Sequence, residues 1–273
     1  MSVFISTAAT NTKMTNLIFD QNLLLTLITA GVVGAAAGYL GSIMVLRRLA
    51  LAGDVLSHVA LPGIGIALIY NLNPFIMAFI FLFSASWLIW LLEKKTRVPT
   101  DALIGILFVA SLAVGVMIIP DLEELGEALF GDISAIDLFD TGLAVLLSVL
   151  VFIAGAKIYK GLVLGTISED LAIANGVKLR KINLLFLVLV SAVVALGVKV
   201  IGTLLMGALI IVSATAAKNL SRSISRYAFL SAVFGLITAP SGLMIARVYE
   251  LPPGPMIILI GVGIFLLSLI GRK

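Results

Sequence analysis

The sequence predicts an all-α polytopic membrane protein with about nine transmembrane helices. Hydrophobic residues make up 61% of the chain and charged residues 12%, against about 25% charged in soluble domains. Mean hydropathy is +1.22. The apolar residues fall into blocks near the roughly 20 residues a helix needs to cross a bilayer. Short turns containing charges, Pro or Gly cut the blocks apart, and the whole chain, 1–273, reads as one transmembrane domain.

Residues 1–16 form a polar tail, and 17–46 are long enough to span with tilt. That length also argues against a signal peptide, whose apolar core is about 7–15 residues. Gly31, Gly34, Gly38 and Gly41 make a small-residue stripe of the kind that lets helices approach closely. The second span runs to about Tyr70, and Pro62, Gly63 and Gly65 predict a kink or break within it. Asn71-Leu72-Asn73-Pro74 is a turn, and the third span, 75–92, carries Trp87 and Trp90 near its end, where aromatic belts form. Thr100-Asp101 reads as a helix cap before the fourth span, 102–119. An acidic loop follows, then the fifth span at 142–156. The longest polar insert, 157–181, is predicted to hold a short helix, with Thr166 opening a capping box to Glu169 and Gly176 ending it. Spans six to nine lie at about 182–198, 201–217, 227–246 and 256–270.

Alternating the sides places Arg47, Arg48, Lys94, Lys95 and Arg97 with the basic residues of 157–181, 218–226 and 272–273. Only Lys13, Lys199 and Arg247 fall opposite. An excess of Lys and Arg marks the cytoplasm, so the N-terminus is expected outside and the C-terminus inside. The net charge of +4 thus reports topology and not nucleic-acid binding.

Little of the chain can do chemistry. No cysteine is present, which excludes thiolate sites and thiol catalysis. The sequence has no Gly-x-x-x-x-Gly-Lys-Ser/Thr loop for ATP, and its one histidine cannot make a two-histidine zinc helix. What remains is Asp54 and His58, four residues apart in an apolar stretch. On a helix, this spacing puts both side chains on one face, where carboxylate and imidazole can share a divalent metal. The plainer reading has Asp54 capping a helix near the cytoplasmic mouth and His58 bonding a neighbouring helix. Ionisable groups inside a membrane are costly and mark function, which favours a substrate or proton site. The helix in 157–181 either rests on the membrane surface or docks a cytoplasmic partner. Lys199 reads as an anchor at the membrane interface.

The run from Arg47 to Gly63, RRLALAGDVLSHVALPG, resembles the signature of the membrane permease subunits of bacterial zinc/manganese ABC importers. The segments 101–108, 128–133, 168–177 and 201–205 resemble further parts of that family in order. The family commonly has proline where this chain has Ser213, which would remove a kink from the seventh span. The resemblance implies a type II ABC importer-like permease in the cell inner membrane, carrying Mn, Zn or Fe, with no permanently bound cofactor. It further implies a second copy of the chain, cytoplasmic ABC ATPase subunits and an extracellular metal-binding protein as partners. Asp54 and His58 match the family's metal pathway, and Glu169, Asp170, Ala172 and Gly176 its contact with the ATPase. The rival expectation is a proton-coupled secondary transporter using Asp54 and His58 as a relay. A membrane enzyme would have too few acid–base groups.

Overall fold

The computed structural model describes residues 21–271 apart from 97, 120, 122–125, 127 and 131–135. The tail at 1–16 and most of the acidic loop lie outside these residues. Eleven helices are numbered here in chain order: α1 Gln21–Leu46, α2 Ala50–Val59, α3 Leu61–Tyr70, α4 Pro74–Lys95, α5 Thr100–Ile118, α6 Leu138–Ile167, α7 Glu169–Ala174, α8 Leu179–Ile201, α9 Thr203–Leu220, α10 Ile224–Val248 and α11 Pro253–Ile270. Seven stretches are long and apolar enough to cross a membrane, one of them Gly53–Tyr70, which joins α2 and α3. The shorter apolar helices Ala102–Ile118 and Leu205–Leu220 bring the described spans to the nine expected.

Contacts between helices define two ends of the bundle. At one, the Arg47 guanidinium beyond α1 donates to Asn183 near the start of α8, Tyr159 late in α6 donates to the Ile224 carbonyl opening α10, and Asn219 late in α9 donates to Ser268 late in α11. Lys94 and Lys95 also end α4 here, so this is the basic end. At the other, Thr29 of α1 donates to Thr141 of α6, and Lys199 of α8 pairs with Asp140 of α6. Lys199 is therefore tied by an ion pair, which the anchor reading did not foresee. Asp137 and Asp140 cap α6 reciprocally, each carboxylate accepting the other's backbone N–H. The Asp140 N–H holds the Asp137 carboxyl below its usual range.

Helices α1, α8 and the α2–α3 pair lie inside the bundle, with α4, α6 and α11 outside. The glycine stripe explains the tightest crossing. A Cβ on Gly34 would collide with the Gly235 carbonyl of α10, and one on Gly38 with the Ser231 carbonyl. Packing is thus the role of the stripe. Hydroxyl pairs add polar stitches, Ser86 of α4 lying 2.8 Å from Ser191 of α8.

Several local expectations need correction. Helix α6 runs through Lys157 and Lys160 to Ile167, 30 residues in all, instead of ending at 156. At about 1.5 Å per residue it outreaches the hydrocarbon and continues into water. The cap of α7 is Ser168, whose hydroxyl accepts from the Leu171 N–H; Thr166 instead bonds back to Leu162 within α6. Pro99, with no side-chain cap bond, holds the N-cap of α5, so the Thr100-Asp101 cap is displaced by one residue. Helix α9 is continuous through Ser213, as the absence of proline predicts.

Candidate metal pathway

Helix α2 exists because its apolar residues find partners on both sides. Leu56, Val59 and Ala60 are buried in the main core. Its N-cap is Leu49, with no side-chain cap bond, and Asp54 is the fifth residue of the helix. The capping reading of Asp54 therefore fails. The carboxylate stands in mid-helix, with His58 one turn on and each charge acting on the other. At Ala60 the chain passes from α2 into α3 through a single residue, and Pro62 falls in the first turn of α3, where a missing N–H costs nothing.

The pair lies toward the end opposite the basic one. Gly207 of α9 backs directly onto the Cα of Asp54, so tightly that any side chain there would collide with the α2 backbone. Gly207 is four residues from the start of α9, roughly 6 Å along its axis. Ser57 supports this seat: its hydroxyl donates to the Thr203 carbonyl at 2.5 Å and lies 2.6 Å from the Asp54 carbonyl. Thr203 in turn donates to the Ala128 carbonyl at 3.1 Å. Asp54 thus sits nearer the start of α9 than the basic end where α9 finishes.

His58 is 6% exposed, and its ring sits edge-on to Phe108 of α5 with centroids 5.2 Å apart. Its Nδ1 is buried and has no hydrogen-bond partner among the described residues. A buried imidazole nitrogen without a partner loses the free energy of its hydration. The His58 Nδ1 thus makes no bond to a neighbouring helix among the described residues. Among the described residues no cluster of three or more His, Cys, Asp or Glu forms. The pair thus has no third such side chain beside it among the described residues.

The second predicted site, the short helix α7, is formed. It ends in a double hydrogen-bonded turn, Gly176 N–H to Ile173 and Val177 N–H to Ala172, with Gly176 at φ +75°. Glu169 and Asp170 are exposed. Ala172 is 0% exposed, because α7 packs back on the end of α6 and the start of α8. It is the seat of the helix in its own chain. The exposed apolar residues are Leu171 at 52% and Ile173 at 58%, which the sequence reading passed over. Phe108, Thr203 and Gly207 come to the pair only through the folded α2–α5–α9 contact, which local sequence does not announce.

The model of the ABC 3 transport family matches residues 19–272. The chain belongs to the ABC 3 transport family. Within that family it is 30% identical over 253 residues to the manganese transport system membrane protein MntC of Listeria innocua, covering 92% of this chain and 89% of that one. It is 28% identical over 257 residues to the high-affinity zinc uptake system membrane protein ZnuB of Haemophilus influenzae, covering 90% and 96%. The solved structure of PsaBC from Streptococcus pneumoniae in complex with Fab superimposes with a TM-score of 0.82 at 30% identity, covering 93% of both chains. This ABC 3 chain is therefore a multi-pass permease of the metal importer type.

Proposed function

We propose that the chain is the permease subunit of an ATP-driven importer for a divalent transition metal ion, manganese, zinc or iron. The observation that carries this is the half-buried Asp54 beside the buried His58, whose Nδ1 has no partner among the described residues. One carboxylate and one imidazole without sulfur suit these ions. The relatives named for manganese and for zinc support the first two of these ions. Two copies of the chain would place two such pairs along one path and supply four ligands, the number a single chain lacks. Few ligands also favour release, since conduction needs binding weak enough to leave.

The energy comes from separate cytoplasmic ATPase subunits docking on α7, and the ion from an extracellular metal-binding protein. Exposed Leu171 and Ile173, flanked by Glu169 and Asp170, give α7 the apolar centre and charged rim of a docking face. Ile173→Asp is expected to strip the ATPase from the purified complex while the permease stays folded, because the side chain touches solvent. Normal ATPase stoichiometry in that variant would refute docking through this face. Ala172→Arg would instead break the seat of α7 in its own chain.

The charge asymmetry puts the basic end in the cytoplasm and the N-terminus outside. A cysteine introduced at Thr96 or Ser223 is expected to react only with membrane-permeant thiol reagents, and one at Gly126 with impermeant ones. Labelling at Ser223 from outside intact cells would overturn this orientation. Co-expression with an ATPase, followed by metal uptake into vesicles with and without ATP, tests the function as a whole. Uptake driven by a pH gradient without the ATPase would favour the proton relay.

A further inference from the structure

We propose that Arg47 is a positioning residue that carries movement from the α7–α8 end of the chain to the Asp54/His58 pair. This rests on the functional reading above. Arg47 stands in the three-residue joint between α1 and α2. Its guanidinium reaches away from that joint onto α8, donating to the Asn183 amide oxygen at 3.0 Å and lying 5.9 Å from the centroid of the Phe186 ring. Glu93, near the end of α4, is the charged group acting on it; burial draws the guanidinium below the ordinary arginine range, and Glu93 opposes that pull. One side chain therefore meets α8 from the root of α2, within the field of Glu93 at the end of α4.

The joint itself is stiff. Arg48 N–H bonds the Val45 carbonyl at 3.3 Å and Leu49 N–H the Met44 carbonyl at 2.9 Å. Arg48 takes φ +61° to close this turn, a conformation that L side chains adopt at a cost of about 1 kcal/mol. Arg48 is exposed, whereas Arg47 is half-buried. Asp54 follows Arg47 by seven residues, so a shift of the guanidinium reaches it through one short joint and little more than one turn of helix. On the other side, four residues separate α7 from α8, two of them bonded into the turn that ends α7. A movement of α7 thus meets rigid connections as far as α8 and again from Arg47 to Asp54. The Arg47–Asn183 bond bridges the interval between them.

Stability alone does not call for an arginine here. A half-buried ion gains little over an apolar residue of similar volume, and such groups are best understood where they fix the register of two elements. Methionine at position 47 would keep an apolar side chain of similar length and lose the guanidinium, with its bond to Asn183 and its place over the Phe186 ring.

The test uses the complete complex with its ATPase in vesicles and reads metal uptake and ATP hydrolysis together. Arg47→Met is expected to assemble at normal stoichiometry and to hydrolyse ATP, while metal moved per ATP falls about tenfold; Arg47→Lys should fall less. Asn183→Leu, which removes the acceptor from the α8 side, should lower the same ratio. Uptake and hydrolysis falling in proportion would show a merely structural role and overturn the proposal, as would an unchanged ratio. If Arg47→Met fails to assemble, Asn183→Leu alone decides by the same ratio. A wild-type complex that moves no metal would refute the functional reading and this assignment with it; a transporting wild type beside an unchanged variant refutes the assignment alone.

Discussion

Metal uptake is expected to fall by an order of magnitude or more in Asp54→Ala and in His58→Ala, at matched expression and with the ATPase still bound. A divalent ion entering a low-dielectric path loses its water, and side-chain ligands are what offset that loss. On the proposed function, each substitution removes one of the two side chains that a chain offers the ion. Because both serve one ion, the double variant should be scarcely worse than either single one, the non-additivity of groups sharing a partner. His58→Ala removes an imidazole whose Nδ1 is already buried without a partner, which offsets part of the packing lost against Phe108. Uptake in vesicles for wild type, both singles and the double makes the comparison. Near-normal transport in the singles would leave the pair without a role in the path.

The second large effect is expected from Gly207→Ala, a single added methyl. Its Cβ would fall on the Cα and N of Asp54, backbone atoms that no rotamer change can move. Helices α2 and α9 must then part, at a cost of about 1–3 kcal/mol for an overpacked interior, and Asp54, Ser57 and His58 move with α2. Uptake should fall at least as far as in Asp54→Ala, although no ligand is touched. Gly105→Ala is the control, since nothing lies within 4 Å of its added Cβ. Equal transport by both variants would show that the α2–α9 contact does not govern the pair.

The spans could be read from the chain because bilayer solvent imposes length and apolarity on each helix separately, so 75–92 and 182–198 announce themselves without their neighbours. The Asp54/His58 pair could be read for a related reason: charge is costly in such a segment wherever it sits. What surrounds the pair could not be read. Gly207, Thr203 and Phe108 come from helices distant in sequence, and nothing in a glycine's neighbours says which backbone it will touch. Errors also arose where two local signals competed. Both Thr166 and Ser168 can cap a helix, and the choice fell to Ser168 because α6 propagates through Thr166. Lys157 and Lys160 looked like loop residues, yet a helix leaving the membrane can carry both on exposed faces. Ala172 looked like a small contact for a partner and is instead the buried seat of α7.

The crossing of α1 and α10 has a mechanical side. Gly34 and Gly235 each press a carbonyl against the other's α-carbon, with no side chain between them. Elsewhere in a protein, neighbouring helices creep past one another by swapping rotamers, a compliance that this contact does not possess. Sliding would drive oxygen into carbon. Because Gly38 meets the Ser231 carbonyl one turn further on, the two helices touch along a line and resist rocking too, so a push at one end of α10 is expected to carry α1 with it.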